Sequence, residues 1–312
     1  MMKNLKIGNL LLKHRTILAP MASLTDIVFR RVVDEIGGVG LMVTELISAE
    51  GLRRKQSRTL SMIRSFDFNT PQFIQLFGSE PESFIDAVKY IEDETDFSGI
   101  DINMGCPVRK MIKKRAGGAL LKDPKKIGEI CRKLRKVINI PFTVKIRLGY
   151  EEENVFEILK VLENEGVDAV TVHFRLKTDR YNSEARWEYA ERIKERSGLK
   201  IIGNGNILNR DEALEKLNIV DGIMIGRGAI SNPFIFAEMQ DEMPSPEDKK
   251  EILERIMALV EEYYPPKLRL LRIKAFTKYL ASGKPYVKKI KHKIYASKTF
   301  DEVKQFFREL DF

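Results

Sequence analysis

Short runs rich in β-branched residues recur along the chain, each followed by a stretch with helical spacing. They read TILAPMA (16–22), LMVTELIS (41–48), QFIQLFG (72–78), GIDINMG (99–105), FTVKIRLG (142–149), AVTVHFR (169–175), KIIGNGNI (200–207) and GIMIGRGA (222–229). Runs of this length bounded by turn residues predict strands, and the segments between them predict helices. Ser79-Glu-Pro-Glu82 reads as a capping box with proline at a helix start, followed by Phe84, Val88 and Ile91 on one face. Residues 123–137 and 154–165 show similar spacing. Eight alternating units predict an α/β chain folded as a (β/α)8 TIM barrel. An open doubly wound sheet also alternates, but it rarely supplies eight even units with polar motifs at nearly every strand end.

After Phe236 the pattern changes. Ser245-Pro-Glu-Asp248 and Thr299 to Glu302 mark further helix starts, and everything from about 241 reads as helix without strand. The predicted organisation is a barrel over residues 1–240 and a smaller helical bundle over 241–312, which suits a chain of 312 residues. No run of eighteen apolar residues exists, and MMKNLKIGNLLLKHR lacks the apolar stretch of a signal peptide. A cytoplasmic protein with no membrane partner is expected, and no obligate protein partner is indicated.

Composition narrows the chemistry. Two cysteines, Cys106 and Cys131, make no disulfide framework, and with three histidines no cluster has metal-ligand spacing. Cys131 shares a helical face with Ile127, Ile130, Leu134 and Val137, and reads as a small buried apolar residue. Lys+Arg outnumber Asp+Glu by 54 to 45, for a net charge of +9. The distribution matters more than the total. Arg53, Arg54, Lys55, Arg58 and Arg64 form one acid-free tract; Arg109, Lys110, Lys113, Lys114, Arg115 and Lys122 form another. Between Tyr263 and Phe300 stand eleven basic residues and no Asp or Glu. Such tracts fit a polyanion, whereas solvated helix faces normally intersperse glutamates, as this chain does elsewhere.

In a barrel of this kind function belongs at the C-terminal strand ends. The unusual residues fall there: Pro20, Met21 and Ala22 on the first strand, Gln75 on the third, Asn103 on the fourth, Lys145 and Arg147 on the fifth, His173 on the sixth, Asn204, Gly205 and Asn206 on the seventh, and Gly226 and Arg227 on the eighth. Lys145 interrupts the apolar run FTVKIRLG, and a buried lysine is costly unless it meets an anion or lowers its pKa. In isolation it fits a Schiff-base lysine equally well. Neutral Gln75, Asn204 and His173 around it suit the polar edge of an isoalloxazine, whose reduced anion a cation would stabilise. Glycines after the seventh and eighth strands suit a phosphate. Cys106, held between Gly105 and Pro107, opens a long basic loop whose composition suits a lid; an unperturbed thiol is mostly protonated at neutral pH and can donate a proton.

LAPMASLTD, IDINMGCPVRK, GGALL, VKIRLG, RYNSEARW, IIGNGNI and IGRGAISNPF, running through residues 17–234, closely resemble the signatures of tRNA-dihydrouridine synthases. The NMGCP element is highly specific, while APM and GNG are shared with several flavin barrels. The helical tail resembles the family's RNA-binding domain more weakly.

The resemblance implies FMN across the barrel mouth, with Pro20, Met21 and Ala22 against the ring and Gln75, Lys145 and His173 at its polar edge. Asn204, Gly205, Asn206, Gly226 and Arg227 would hold the ribityl phosphate. NADPH (or NADH) would be the reductant and a tRNA uridine the substrate, taking hydride at C6 and a proton from Cys106 at C5. Asn103 and Arg147 would position the base. Two departures stand out: the family's usual His-Gly-Arg-Thr is His173-Phe-Arg-Leu176 here, and Asn206 replaces a common Asp. A polyanion clamped between barrel and tail, by Lys288, Lys289 and Lys291 among others, would extrude its target base into the pocket. Phe276, Tyr279, Tyr286 and Tyr295 suit bundle packing better than base stacking. Two rivals remain. A flavin barrel acting on a free small molecule has no need of the acid-free tail, and a non-catalytic RNA-binding barrel has no task for Lys145 with Cys106.

Overall fold

Each barrel strand begins at the first residue of its predicted run. The computed structural model describes residues 4–63, 67–180, 182–280 and 287–309, without the side chains of residues 246, 249, 277–280, 287 and 289. Arg64, Tyr181 and Tyr286 thus lie outside the described residues, as do the side chains of Tyr279 and Lys289. An antiparallel hairpin of β1 (Leu5–Ile7) and β2 (Leu10–Leu12) comes first. The barrel strands follow: β3 (Thr16–Leu18), β4 (Leu41–Ser48), β5 (Gln72–Phe77), β6 (Gly99–Asn103), β7 (Phe142–Gly149), β8 (Ala169–Leu176), β9 (Lys200–Asn204) and β10 (Gly222–Ile225). They pair in parallel in the order β10-β3-β4-β5-β6-β7-β8-β9, and β10 closes on β9.

The hairpin is absent from the sequence expectation, because three-residue strands are too short to show a period. It packs against the N-terminal ends of the barrel strands, where Leu5, Ile7 and Leu12 join Ile17, Leu41, Phe73, Ile202 and Met224 in one buried cluster. At roughly 1.5–3 kcal/mol per fully buried large apolar side chain, it is a firm floor. The opposite end stays open.

Helices Ile27–Ile36, Pro81–Glu94, Pro124–Arg135, Val155–Asn164, Tyr189–Arg196 and Arg210–Leu217 cover the outside of the barrel. The Ser79 capping box does not form. Pro81 occupies the first helical turn, so Glu80 is the N-cap and Ser79 stands one residue too early, bonding Glu80 instead.

Past residue 241 the described residues form helices Pro246–Tyr263, Pro266–Leu280, Val287–Ala296 and Phe300–Arg308. Ser245 and Asp248 form the expected reciprocal capping box. At Thr299 only half of one forms: its hydroxyl accepts from the Glu302 amide, while Glu302 turns to the Lys298 amide. This tail packs on helix Ile27–Ile36. Phe276 is fully buried and stacks on Phe29 at 5.9 Å, as the packing reading of that aromatic expects. Arg255 makes two hydrogen bonds to Glu35 (2.7 and 2.9 Å), and the Tyr264 hydroxyl donates to Asp26 at 2.6 Å. Asp26 caps that helix directly after the loop carrying Pro20 to Ala22, so the tail abuts the barrel's open end. No described helix is long and apolar enough to cross a membrane.

Candidate active site at the barrel mouth

Strand register brings the polar residues level. Asn103 lies beside Lys145, Arg147 beside His173, and His173 beside Asn204. They line a cavity of about 610 Å3 with Pro20, Met21, Ala22, Cys106, Gly205, Asn206, Gly226 and Arg227. That volume is ordinary for a small-molecule or cofactor site. Gln75 alone among the candidate residues is not in the lining. It is fully buried beneath it, donating to Asp101 at 2.6 Å and accepting from Asn103 at 2.9 Å.

One wall carries cationic and neutral donors. The Lys145 ammonium donates to Asn204 Oδ1 at 3.1 Å, and Asn204 is held in turn by donating to the Met224 carbonyl. Burial, then the neighbouring Arg147, brings Lys145 down to about 8. His173 is held well below its ordinary pKa, first by burial and then by the charges of Lys145, Arg147, Arg175 and Arg227. Its imidazole is therefore neutral at pH 7. Arg175 Nη1 donates to Nε2 at 2.7 Å, which leaves the proton on Nδ1. Arg175 also reaches Asn206 and the Ser183 carbonyl. Arg175 is a lining residue absent from the sequence expectation. It stands two positions after His173, so strand alternation places both on the inward face, and that signal was available.

The segment that carries Cys106 also lines the cavity. Asn103 Oδ1 accepts from the Gly105 and Cys106 amides at 3.3 and 3.0 Å. Arg147 donates to the carbonyls of Gly105 (2.9 Å) and Leu176 (2.8 Å). Asn103 and Arg147, the two expected base-positioning residues, thus both shape the cysteine turn. Burial raises the Cys106 thiol pKa, with Arg147 and Lys145 pulling the other way, so the thiol is protonated at neutral pH. The basic loop beyond it packs against the cysteine turn in its second half. Gly118 N–H donates to the Cys106 carbonyl at 2.9 Å, and Gly117 (φ 59°) lies so close that a Cβ would stand 3.1 Å from that of Cys106.

The charge map is uneven. Arg53 pairs with Glu50 and Asp86, and Arg54 with Glu50, so acids from outside the first tract partly neutralise it. Arg109, Lys110, Lys113, Lys114 and Arg115, beside Cys106, are exposed and form no ion pair among the described residues.

The dihydrouridine synthase family model matches residues 17–311, from the first barrel strand through the helical tail. The chain belongs to the dihydrouridine synthase family. It is 35% identical over 274 residues to the "Probable tRNA-dihydrouridine synthase" of Rickettsia bellii, covering 83% of each chain. It is also 35% identical over 280 residues to "tRNA-dihydrouridine synthase B" of Vibrio parahaemolyticus, covering 85% of this chain and 86% of that one. Among solved structures, the old yellow enzyme homologue from Zymomonas mobilis matches 78% of this chain and 93% of its own, with a TM-score of 0.57 and 11% identity. That likeness shows the shared TIM-barrel fold.

On β8 the side chains alternate between the cavity and the helices outside the barrel. His173 and Arg175 point inward, while Phe174 points outward and packs on Trp187 with ring centroids 4.6 Å apart. Trp187 in turn donates to the Gly205 carbonyl at 2.8 Å and fills the space over Gly203. Phe174 thus braces the loop after β9 from behind, through Trp187.

Proposed function

We propose that this protein is a tRNA-dihydrouridine synthase that binds FMN at the barrel mouth, is reduced by NADPH and saturates the C5=C6 bond of a tRNA uridine. One observation supports this above the rest: cationic Lys145, neutral His173 and Asn204 line the same 610 Å3 cavity as a protonated Cys106.

The residues fit the cofactor. Lys145, Asn204 and the Nδ1–H of His173 offer donors to the polar edge of an isoalloxazine, and Pro20, Met21 and Ala22 offer a flat apolar contact. Gly205, Asn206, Gly226 and Arg227 present backbone and a guanidinium to a phosphate. When bound, FMN supplies hydride equivalents to C6 of the uracil. Cys106 then gives its proton to C5, and the charges of Arg147 and Lys145 stabilise the thiolate left behind. Asn103 and Arg147 keep that thiol in place by holding the amides and a carbonyl of its turn.

Exposed Arg109, Lys110, Lys113, Lys114 and Arg115 beside Cys106, together with Lys267, Lys288, Lys291 and Lys293 of the tail, form the footprint for the tRNA backbone. Residues 241–312 serve as the RNA-binding part, with the target base extruded into the cavity.

The test is anaerobic: reduce the FMN-loaded protein with NADPH, add unmodified tRNA transcript, and follow the flavin absorbance. Reoxidation by tRNA and not by free uridine is expected. A flavin that stays bleached with tRNA, or a protein that takes up no FMN, overturns the reading.

A further inference from the structure

Beneath the cavity a row of buried side chains joins the Cys106 turn to the barrel interior. The Gly105 and Cys106 amides donate to Asn103 Oδ1, Asn103 Nδ2 donates to Gln75 Oε1 at 2.9 Å, and Gln75 Nε2 donates to Asp101 Oδ2 at 2.6 Å. Thr143 Oγ1 closes the row by donating to Asp101 Oδ1 at 2.6 Å. Strand register sets Asp101 directly between Gln75 and Thr143, and none of the four side-chain partners is more than 6% exposed.

The polarity of this row is dictated from one end. Backbone N–H groups can only donate, so Asn103 must turn its oxygen to them and its –NH2 to Gln75. Gln75 must then offer its oxygen to Asn103 and its –NH2 to residue 101. That residue has to accept from Gln75 and from Thr143 together, which suits a carboxylate. An apolar side chain there would strand a buried amide and loosen the chain of bonds above it.

We infer that Asp101 is a positioning residue for the reaction: through Gln75 and Asn103 it fixes the amides of the turn that presents the Cys106 thiol. The inference rests on the reading of Cys106 as proton donor. It also gives Gln75 a task that its buried position allows, beneath the cofactor cavity instead of in its wall.

The test compares Asp101→Asn with Asp101→Leu in the FMN-loaded protein. An asparagine oxygen can accept from Gln75 while its –NH2 faces the Thr143 hydroxyl, which can turn to accept, so the row survives without the charge. Leucine matches the size and breaks the row. In Asp101→Leu, single-turnover uridine reduction should fall about 10²-fold, the scale of a misplacement of about 1 Å, while flavin reduction by NADPH is unchanged. Asp101→Asn should restore the wild-type rate. A second readout is alkylation of Cys106 by iodoacetamide, mapped by mass; Cys131 is fully buried and stays silent. Alkylation should quicken several-fold in the leucine variant and match wild type in the asparagine variant. Should Asp101→Leu fail to fold, Gln75→Met carries the same expectations. Wild-type alkylation and reduction in a variant that breaks the row would overturn the inference. So would an asparagine variant as impaired as the leucine one, because the charge beside Lys145 would then be what matters. If the tRNA reading itself is wrong, wild-type protein reduces no uridine, and the alkylation pattern still decides the row.

Discussion

The barrel mouth and the helical tail are both rich in polar and charged side chains, yet they use them in opposite ways. At the mouth the inward-pointing groups are buried or half-buried and hold one another: Lys145 on Asn204, Arg175 on His173 and Asn206, Arg147 on the Cys106 turn. In the tail some cations are consumed internally. Arg269 donates to the Tyr264 and Glu261 carbonyls, and Lys274 to those of Tyr295 and Ser297. Lys267, Lys288 and Lys293 are exposed, and their ammonium groups make no hydrogen bond or ion pair among the described residues. Preorganised, desolvated groups suit chemistry, where a fixed position is worth most. Solvated, mobile cations suit a polyanion whose phosphates they meet without fixed geometry.

The largest effect should come from the mouth. Cys106→Ala removes the proton donor, so uridine reduction should fall by about 10²–10⁴-fold, the usual scale for a general acid. FMN content and flavin reduction by NADPH should be unchanged in the same protein. Normal uridine reduction by that variant would remove Cys106 from the mechanism. Lys145→Met should cost less, about 10–10²-fold in flavin reduction, the equivalent of one charge-assisted contact of about 1.5–3 kcal/mol. The pH profile sharpens this. Lys145 titrates at about 8, so its cation is present below that pH and lost above it. Wild-type flavin reduction should decline on the alkaline side of about 8, and Lys145→Met should show no such limb. A limb retained in the variant would assign it to another group.

The same contrast explains what the sequence makes legible. Strand starts follow from β-branched runs, because eight consecutive buried strands leave little choice of register. Site residues such as Lys145 and His173 stand out because a polar residue within an apolar strand is expensive and calls for a reason. Asp101 escaped because its partners sit on other strands, whereas strand alternation already places Arg175 on the inward face with His173. Nothing local says that Asp101 receives Gln75 and Thr143, or that Arg175 reaches Asn206 as well as His173. The hairpin was too short to show a period, and the Ser79 cap was displaced by one residue through Pro81. In the tail, composition marks a basic tract, but only the fold separates Arg272, paired with Asp26, from exposed Lys288.

That separation can be tested on the tail. Lys288→Glu with Lys291→Glu should lower tRNA affinity about tenfold near 0.1 M salt and reduce the salt slope by about 2, one for each phosphate that is no longer neutralised. Turnover at saturating tRNA should be preserved, since neither residue lies at the mouth. An unchanged affinity and slope would place the tRNA elsewhere.

The smallest effect is expected where the two regions join. Asp26 is buried at the start of helix Ile27–Ile36, accepting from the Phe29 amide and the Tyr264 hydroxyl, with Arg272 at 3.7 Å and stacked on the Tyr264 ring. Burial raises the Asp26 carboxyl above its ordinary pKa, and the Tyr264 hydroxyl works against that rise. Tyr264→Phe removes one donor to a buried carboxylate and should cost about 1–3 kcal/mol of stability with catalysis at saturating tRNA intact. The sign of its pH dependence follows. Without the hydroxyl the folded-state pKa of Asp26 moves further up, so the variant loses most where Asp26 is ionised and least where it is protonated. Denaturant titration should therefore show a larger deficit above the raised folded-state pKa of Asp26 than below it. Equal deficits on both sides would mean that Tyr264 joins tail to barrel through the packing of its ring alone.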